Sequence, residues 1–166
     1  METRFGAEAA PGTFQAMMAL EQYIHGCGLE ESLIHLVKLR ASQINGCAYC
    51  LDMHWKDLRA LGEGEQRLYS LDAWRECPYY TGRERAALAW AEAVTLVTQG
   101  HVPDSVYEEA RAHFSPKELA DLTLVVTTIN SWNRLAIAAR TEPGTYQPAR
   151  ARGANEAASA AREVNG

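Results

Sequence analysis

Apolar side chains recur every three or four positions along most of the chain, which is the spacing of an amphipathic α-helix. Strand-like alternation of apolar and polar residues is nearly absent. In residues 13–26, Met17, Leu20, Tyr23 and Ile24 recur at this helical spacing. The pattern therefore predicts an all-α fold.

Turn residues and helix caps divide the pattern into seven helical segments. Gly26 and Gly28 end the first, and Asn45–Gly46 ends the second, because these residue types readily adopt the backbone conformation that closes a helix. Thr81–Glu84 and Ser115–Glu118 have the spacing of capping boxes, which satisfy free N–H groups at a helix start. The predicted helices cover 13–26, 30–44, 47 to 62 or 64, 65–75, 81–98, 103–113 and 115–140.

The two ends of the chain differ in composition from this helical region. Residues 1–12 are small and polar, which predicts a loose N-terminal arm. Residues 141–166 are rich in Pro, Gly, Ala and charge, which predicts a flexible C-terminal tail. No internal repeat or second domain is evident. We expect a single-domain helical bundle of about six to seven helices over residues 13–140.

Composition narrows the classes of function. The chain has 166 residues and a formal net charge of -5, without a basic stripe, so no nucleic-acid partner is expected. Charges interrupt every apolar stretch before it reaches membrane-spanning length, and the N-terminus lacks an apolar signal region. We therefore expect no membrane partner and a cytoplasmic location. Four cysteines in such a protein favour catalysis or metal binding over a structural disulfide.

One short segment concentrates reactive side chains. Cys47, Cys50 and His54 form the pattern C-x-x-C-x-x-x-H. On a helix, Cys50 and His54 lie one turn apart on the same face, with Cys47 nearly on that face. A cysteine in the first turn of a helix and beside a histidine ionises readily to the reactive thiolate. The pattern predicts thiol redox chemistry, in which His54 takes the Cys50 proton and Cys47 closes a disulfide.

Two other interpretations of the segment remain. The cysteines could simply pack as small apolar side chains. A metal site is the chemical alternative, since Cys47, Cys50 and His54 would supply three ligands and His35 a fourth, as structural zinc requires. No second C-x-x-C is present, and the other two cysteines are isolated in the sequence. We therefore expect neither a metal nor a cofactor at this site.

The segment Leu39–His54 closely resembles the core motif of alkylhydroperoxidase D-like proteins in the carboxymuconolactone decarboxylase family. Arg83–Leu88 and Asn130–Ile137 agree with the same resemblance. It implies an all-helical fold that assembles into trimers or hexamers. It further implies a thiol-dependent peroxidase, since the true decarboxylases lack the cysteine pair.

The resemblance also implies a role for each residue of the motif. Cys50 would attack the hydroperoxide, Cys47 would resolve the product to a disulfide, and His54 would relay protons. An external dithiol partner would then reduce the disulfide. The chain departs from the family at one relay position, twelve residues before the first cysteine, where His35 stands in place of the usual glutamate. Either His35 serves the relay, or a carboxylate does, the candidates being Glu84, Glu92 and Glu31.

Thiol-dependent reduction of hydroperoxides is thus the leading hypothesis. The alternatives are a redox-responsive interaction module without turnover and a Cys/His metal-binding protein.

Overall fold

This computed structural model describes residues 2–148 of the chain. These residues contain seven α-helices and no β-strand. Short 3-10 turns occur at Ala7–Ala9, Leu71–Ala73 and Val97–Gln99. The predicted all-α, single-domain fold is confirmed. The helices are α1 (Pro11–Gly26), α2 (Glu31–Asn45), α3 (Ala48–Ala60), α4 (Glu65–Tyr69), α5 (Gly82–Thr95), α6 (Asp104–Arg111) and α7 (Pro116–Ala139).

Most helix boundaries differ from the predicted ones by one to four residues, and three of the differences have a structural explanation. Helix α1 begins at Pro11, inside the range predicted as an arm, because proline is well suited to the first position of a helix. The segment predicted as a helix over 65–75 ends as an α-helix at Tyr69 and continues as a 3-10 turn. Helix α5 likewise gives way to a 3-10 turn after Thr95, which is a common way for a helix to end.

Both predicted capping boxes are present. The hydroxyl of Thr81 accepts the N–H of Glu84 at 3.2 Å, and the Glu84 carboxylate accepts the N–H of Thr81 at 2.7 Å. Ser115 and Glu118 make the same reciprocal pair at the start of α7. These caps satisfy N–H groups that have no partner within the helix, so they fix where α5 and α7 begin.

Helix α2 is the centre of the fold. It packs against α3, α5 and α7, and its residues from Leu33 to Leu39 are all buried. One apolar cluster joins α2 to α1, α5, α6 and α7, and a second joins it to α3, α4 and α5. Because a buried helix cannot turn its polar residues to solvent, His35 and Lys38 on α2 need partners inside the protein.

Helix α1 covers this core only in part. Of its apolar positions at helical spacing, Met17 and Ile24 are buried, whereas Leu20 is 37% exposed and Tyr23 is 52% exposed. The same helix also exposes Phe14.

Residues 141–148 run along α3 after the end of α7. The Lys56 ammonium donates to the carbonyls of Gly144 and Tyr146, each at 3.1 Å, and the N–H of Gly144 donates to Asp52. The remainder of the predicted tail, residues 149–166, lies outside the described residues. Between residues 2 and 148, no helix is long and apolar enough to cross a membrane.

Candidate active site

The turn between α2 and α3 positions the two cysteines. Gly46 ends α2 in the left-handed conformation, with φ of 67°, which glycine adopts without steric cost. The N–H of Cys47 then donates to the carbonyl of Ser42, which closes the turn. Cys47 becomes the N-cap of α3, and its Sγ accepts the N–H of Cys50 at 3.4 Å. Cys50 therefore lies in the first turn of α3, as the sequence predicts.

Cys47 and Cys50 form a disulfide, with their Cα atoms 5.4 Å apart. Both are buried and pack with Ala41 and Ile129. The sequence spacing thus gives a geometry in which the two sulfurs can bond without rearrangement of the backbone. The other cysteines, Cys27 and Cys77, are outside any disulfide and pack into other clusters.

Side-chain amides on α7 hold this turn in place. Asn45 donates to the amide oxygens of Asn130 and Asn133, at 3.0 and 2.8 Å. Asn133, which is completely buried, donates in turn to the hydroxyl of Ser42 at 3.0 Å. Because buried amides are costly without partners, these bonds strongly restrict how the end of α2 can move relative to α7.

Two buried histidines meet where α2 packs against α3. Nδ1 of His35 and Nδ1 of His54 are 3.2 Å apart, so one ring donates a hydrogen bond to the other. His54 lies one helical turn after Cys50. Its Nε2 is buried and has no hydrogen-bond partner among the described residues. A buried ring nitrogen without a partner is uncommon and is often found at catalytic sites.

A carboxylate that the sequence analysis missed completes the group. Asp57 lies one turn after His54, and its Oδ2 is 3.5 Å from Nδ1 of His35 and 3.7 Å from Nδ1 of His54. The hydroxyl of Tyr146 donates to the other carboxylate oxygen of Asp57 at 2.6 Å. The sequence did offer a signal for this carboxylate, because residues three positions apart on a helix, such as His54 and Asp57, are neighbours on its surface.

The carboxylates suggested from the sequence are engaged elsewhere or exposed. Glu84 pairs with Arg67 and caps α5. Glu92 accepts hydrogen bonds from Arg40, from the Trp74 indole and from a second arginine. Neither is therefore the carboxylate that approaches the histidine pair. Glu31 is exposed at the start of α2, although it lines the same cavity as the histidines.

Burial determines the charges in the group. It lowers the pKa of His35 to about 3, with the nearby His54 acting in the same direction and Asp57 opposing. Burial also lowers the pKa of His54, against the opposing effect of Asp57. For Asp57, burial alone would raise the pKa, but the interactions with His54 and Tyr146 outweigh it and hold that pKa below its usual value. At neutral pH the site therefore holds two neutral imidazoles and one carboxylate.

A buried ion pair lies beside the histidines. The Lys38 ammonium is 2.5 Å from one carboxylate oxygen of Glu21, and the Trp132 indole donates to the other oxygen at 2.9 Å. Lys38 is almost completely buried, so this pairing offsets much of the cost of removing the charge from water. The pair connects α1, α2 and α7, a connection that helical periodicity alone does not reveal.

These groups share one large cavity of about 1450 Å³. Cys50, His54, His35 and Asp57 all line it. Its remaining wall is formed largely by α1 with the segment before it and by α7 with the segment after it, and includes the apolar side chains of Phe14, Met18, Met53 and Trp132. The cavity therefore brings a disulfide sulfur, a neutral base and an apolar surface together. Cys47 does not line the cavity.

Fold, motif and sequence similarity together identify the family. A sequence model of the carboxymuconolactone decarboxylase family matches residues 11–93. The chain is also 44% identical to the uncharacterised protein YdfG from Bacillus subtilis, over 79% of this chain and 89% of that protein. This protein belongs to the carboxymuconolactone decarboxylase family and is one of its alkylhydroperoxidase D-like members, as the sequence predicts.

Solved structures agree with this assignment. ATU0492 from Agrobacterium tumefaciens, a protein of unknown function with a suggested relation to the antioxidant defence protein AhpD, is 46% identical with a TM-score of 0.84. That match covers 87% of this chain and all of the other. The debrominase Bmp8 shares the fold at 19% identity and a TM-score of 0.72, covering 88% of this chain and 76% of Bmp8. At that identity the likeness shows a common fold alone.

Proposed function

We propose that this protein is a thiol-dependent peroxidase that reduces hydroperoxides through Cys50. The observation that carries the proposal is the pairing of Cys50 with Cys47 in a disulfide at the wall of the cavity that His54 also lines. His54 has one ring nitrogen, Nε2, without a hydrogen-bond partner among the described residues, and it lies one helical turn from a cysteine at a helix N-terminus, an arrangement that activates a thiol.

In the first step the Cys50 thiolate attacks the terminal oxygen of the hydroperoxide. An S–O bond forms, the O–O bond breaks, and the second oxygen takes a proton and leaves as an alcohol or as water. The sulfur is oxidised by two electrons to a sulfenic acid. Cys47 then attacks that sulfur, so that the disulfide forms and water leaves. An external dithiol reduces the disulfide and restores both thiols.

His54 serves as the proton carrier in this scheme. As a neutral imidazole it has one ring nitrogen free to take the Cys50 proton, and it can return that proton to the leaving oxygen. His35, at 3.2 Å from His54, fixes the tautomer and orientation of the ring. Asp57 stabilises the imidazolium while it exists. The relay thus contains a second histidine where the family commonly has a glutamate.

The partners are a hydroperoxide and a dithiol reductant, and the working form is a homo-oligomer, either a trimer or a hexamer. No metal or cofactor takes part in the thiol chemistry. The protein would act in the cytoplasm, where thiols are kept reduced.

The test is consumption of hydrogen peroxide and of a bulky organic hydroperoxide by purified protein with excess dithiol. We expect turnover by the unmodified protein and none by Cys50→Ser. His54→Gln should reduce the rate by about 10²- to 10⁴-fold, as expected for loss of a general acid–base group. Cys77→Ser is the matched control, since it removes a thiol that does not line the cavity, and it should leave the rate unchanged.

Unchanged turnover in Cys50→Ser would refute the proposal. A lack of turnover by the unmodified protein, combined with reversible oxidation of Cys47 and Cys50, would instead favour the redox-responsive module.

A further inference from the structure

We propose that His35, His54 and Asp57 form a binding site for a divalent transition-metal ion, with zinc as the ion that fits best. The site consists of Nδ1 of each histidine and Oδ2 of the aspartate. It contains no sulfur, so it differs from the Cys/His ligand set suggested by the sequence. The proposal of a metal site rests on the arrangement of these three atoms and does not depend on the proposed peroxidase activity.

The distances between the three atoms match the ligand spacing of zinc. They are 3.2 Å between the two nitrogens, 3.5 Å from His35 to Asp57 and 3.7 Å from His54 to Asp57. The corners of such a triangle lie about 2.0 Å from its centre, and zinc bonds to nitrogen and oxygen are about 2.0–2.2 Å long. An ion slightly out of the plane would therefore reach all three atoms without movement of either helix.

The spacing also favours four-coordinate geometry. With bonds of about 2.1 Å, ligands at the corners of a tetrahedron are about 3.4 Å apart, whereas neighbouring ligands of an octahedron are about 3.0 Å apart. The observed distances are closer to the tetrahedral value. Because His35, His54 and Asp57 all line the cavity, the fourth position would be open to water or to a ligand from the cavity.

The chemistry of the three groups fits a cation as well. Imidazole nitrogens and carboxylate oxygens are ligands that zinc binds in proteins, and the site offers two of the first and one of the second. Asp57 contributes the one negative charge. Its other oxygen accepts the hydroxyl of Tyr146 at 2.6 Å, which orients the carboxylate in the way that outer hydrogen bonds orient the ligands of known metal sites.

Metal binding and proton relay exclude each other in one molecule. With a metal on Nδ1, His54 must carry its proton on Nε2 and has no nitrogen left to accept another. The proposal therefore concerns a metal-loaded form of the protein. Its test measures bound metal rather than peroxide turnover, so the failure of one proposal leaves the other to be judged on its own experiment.

The experiment is calorimetric titration of zinc into full-length, untagged protein that has been stripped with a chelator. The protein is kept in the disulfide form, so that Cys47 and Cys50 cannot bind the ion. We expect one zinc per chain. His35→Gln and Asp57→Asn should each weaken binding by at least about 100-fold. His25→Gln is the matched control, because His25 lines the same cavity without belonging to the triangle, and it should bind as the unmodified protein does.

X-ray absorption of the zinc-loaded, unmodified protein provides a test that does not depend on whether the variants fold. We expect only nitrogen and oxygen ligands, at about 2.0–2.1 Å, and no sulfur at about 2.3 Å. The proposal is overturned if the stripped protein fails to take up one equivalent, if folded His35→Gln and Asp57→Asn bind zinc as tightly as the unmodified protein, or if sulfur appears among the ligands.

Discussion

The hydroxyl of Tyr146 donates a 2.6 Å hydrogen bond to Asp57, although the two residues are 89 positions apart in the sequence. This bond ties the segment after α7 to the carboxylate that approaches both His35 and His54. The segment therefore contributes to the site as well as covering α3. A residue in a region whose composition suggests a flexible tail thus helps to hold a buried charged group.

Replacing Tyr146 with phenylalanine removes this bond and keeps the ring. Because the acceptor is a partly buried carboxylate, we expect Tyr146→Phe to lower the free energy of unfolding by about 1 to 3 kcal/mol. Urea denaturation at neutral pH measures the change. Tyr69→Phe is the control, since Tyr69 is 72% exposed and its hydroxyl makes no hydrogen bond to any described residue. Equal stability of the two variants would show that the Tyr146 bond contributes nothing.

The local parts of the site could be predicted from the sequence. The Asn45–Gly46 turn, the capping boxes and the one-turn spacing of Cys50 and His54 depend only on residues close together in the chain. Helix signals of this kind act within three or four positions, so they identify where α3 starts and which side chains share its face.

The contact between the two histidines could not be predicted in the same way. His35 meets His54 because α2 crosses α3 at that point, and the crossing is determined by packing in the core. Spacing likewise gives no sign that Glu92 is occupied by Arg40 and Trp74. Helical periodicity identifies the apolar positions of α1, including Leu20, without showing what covers them.

The order of reaction of the two cysteines leads to a second prediction. If Cys50 attacks the peroxide and Cys47 resolves the product, Cys47→Ser should consume about one equivalent of hydroperoxide per chain and then stop. A sulfenic-acid-specific probe should label Cys50 in that variant, and mass spectrometry locates the label. Continued turnover at the unmodified rate would contradict the resolving role of Cys47, and labelling of neither thiol would contradict the attack by Cys50.

Glu92 provides a prediction about pH. Burial alone would raise the pKa of Glu92, but hydrogen bonds from Trp74, Arg75 and Arg40 outweigh it and hold the pKa below the ordinary value of 4.5. A carboxyl group whose pKa is lower in the folded state stabilises the protein above pH 4.5 and loses that contribution as the pH falls through the folded value. The unmodified protein should therefore lose this part of its stability in acid.

Glu92→Gln tests that pH dependence directly. We expect the variant to be less stable than the unmodified protein by about 1 to 3 kcal/mol at pH 7, since it leaves Arg40 without its charged partner. Urea titrations at pH 7 and pH 4 should show that difference shrinking in acid. Glu109→Gln, at an exposed site without an ion pair among residues 2–148, should show no difference at either pH. A stability difference between Glu92→Gln and the unmodified protein that stays constant or increases toward pH 4 would contradict a lowered pKa for Glu92.

The exposed apolar face of α1 leads to the last prediction. Phe14 and Met18 lie one turn apart, are 44% and 45% exposed, and line the large cavity. Exposed apolar surface of this kind is characteristic of contacts between chains, so we expect a trimer or hexamer by size-exclusion chromatography with light scattering. Met18→Glu should shift the mass toward the monomer, because it places a charge in the contact. Val97→Glu, which changes an equally exposed residue on another element, should leave the mass unchanged. A monomeric mass for the unmodified protein, or equal dissociation by both variants, would exclude α1 as the contact surface.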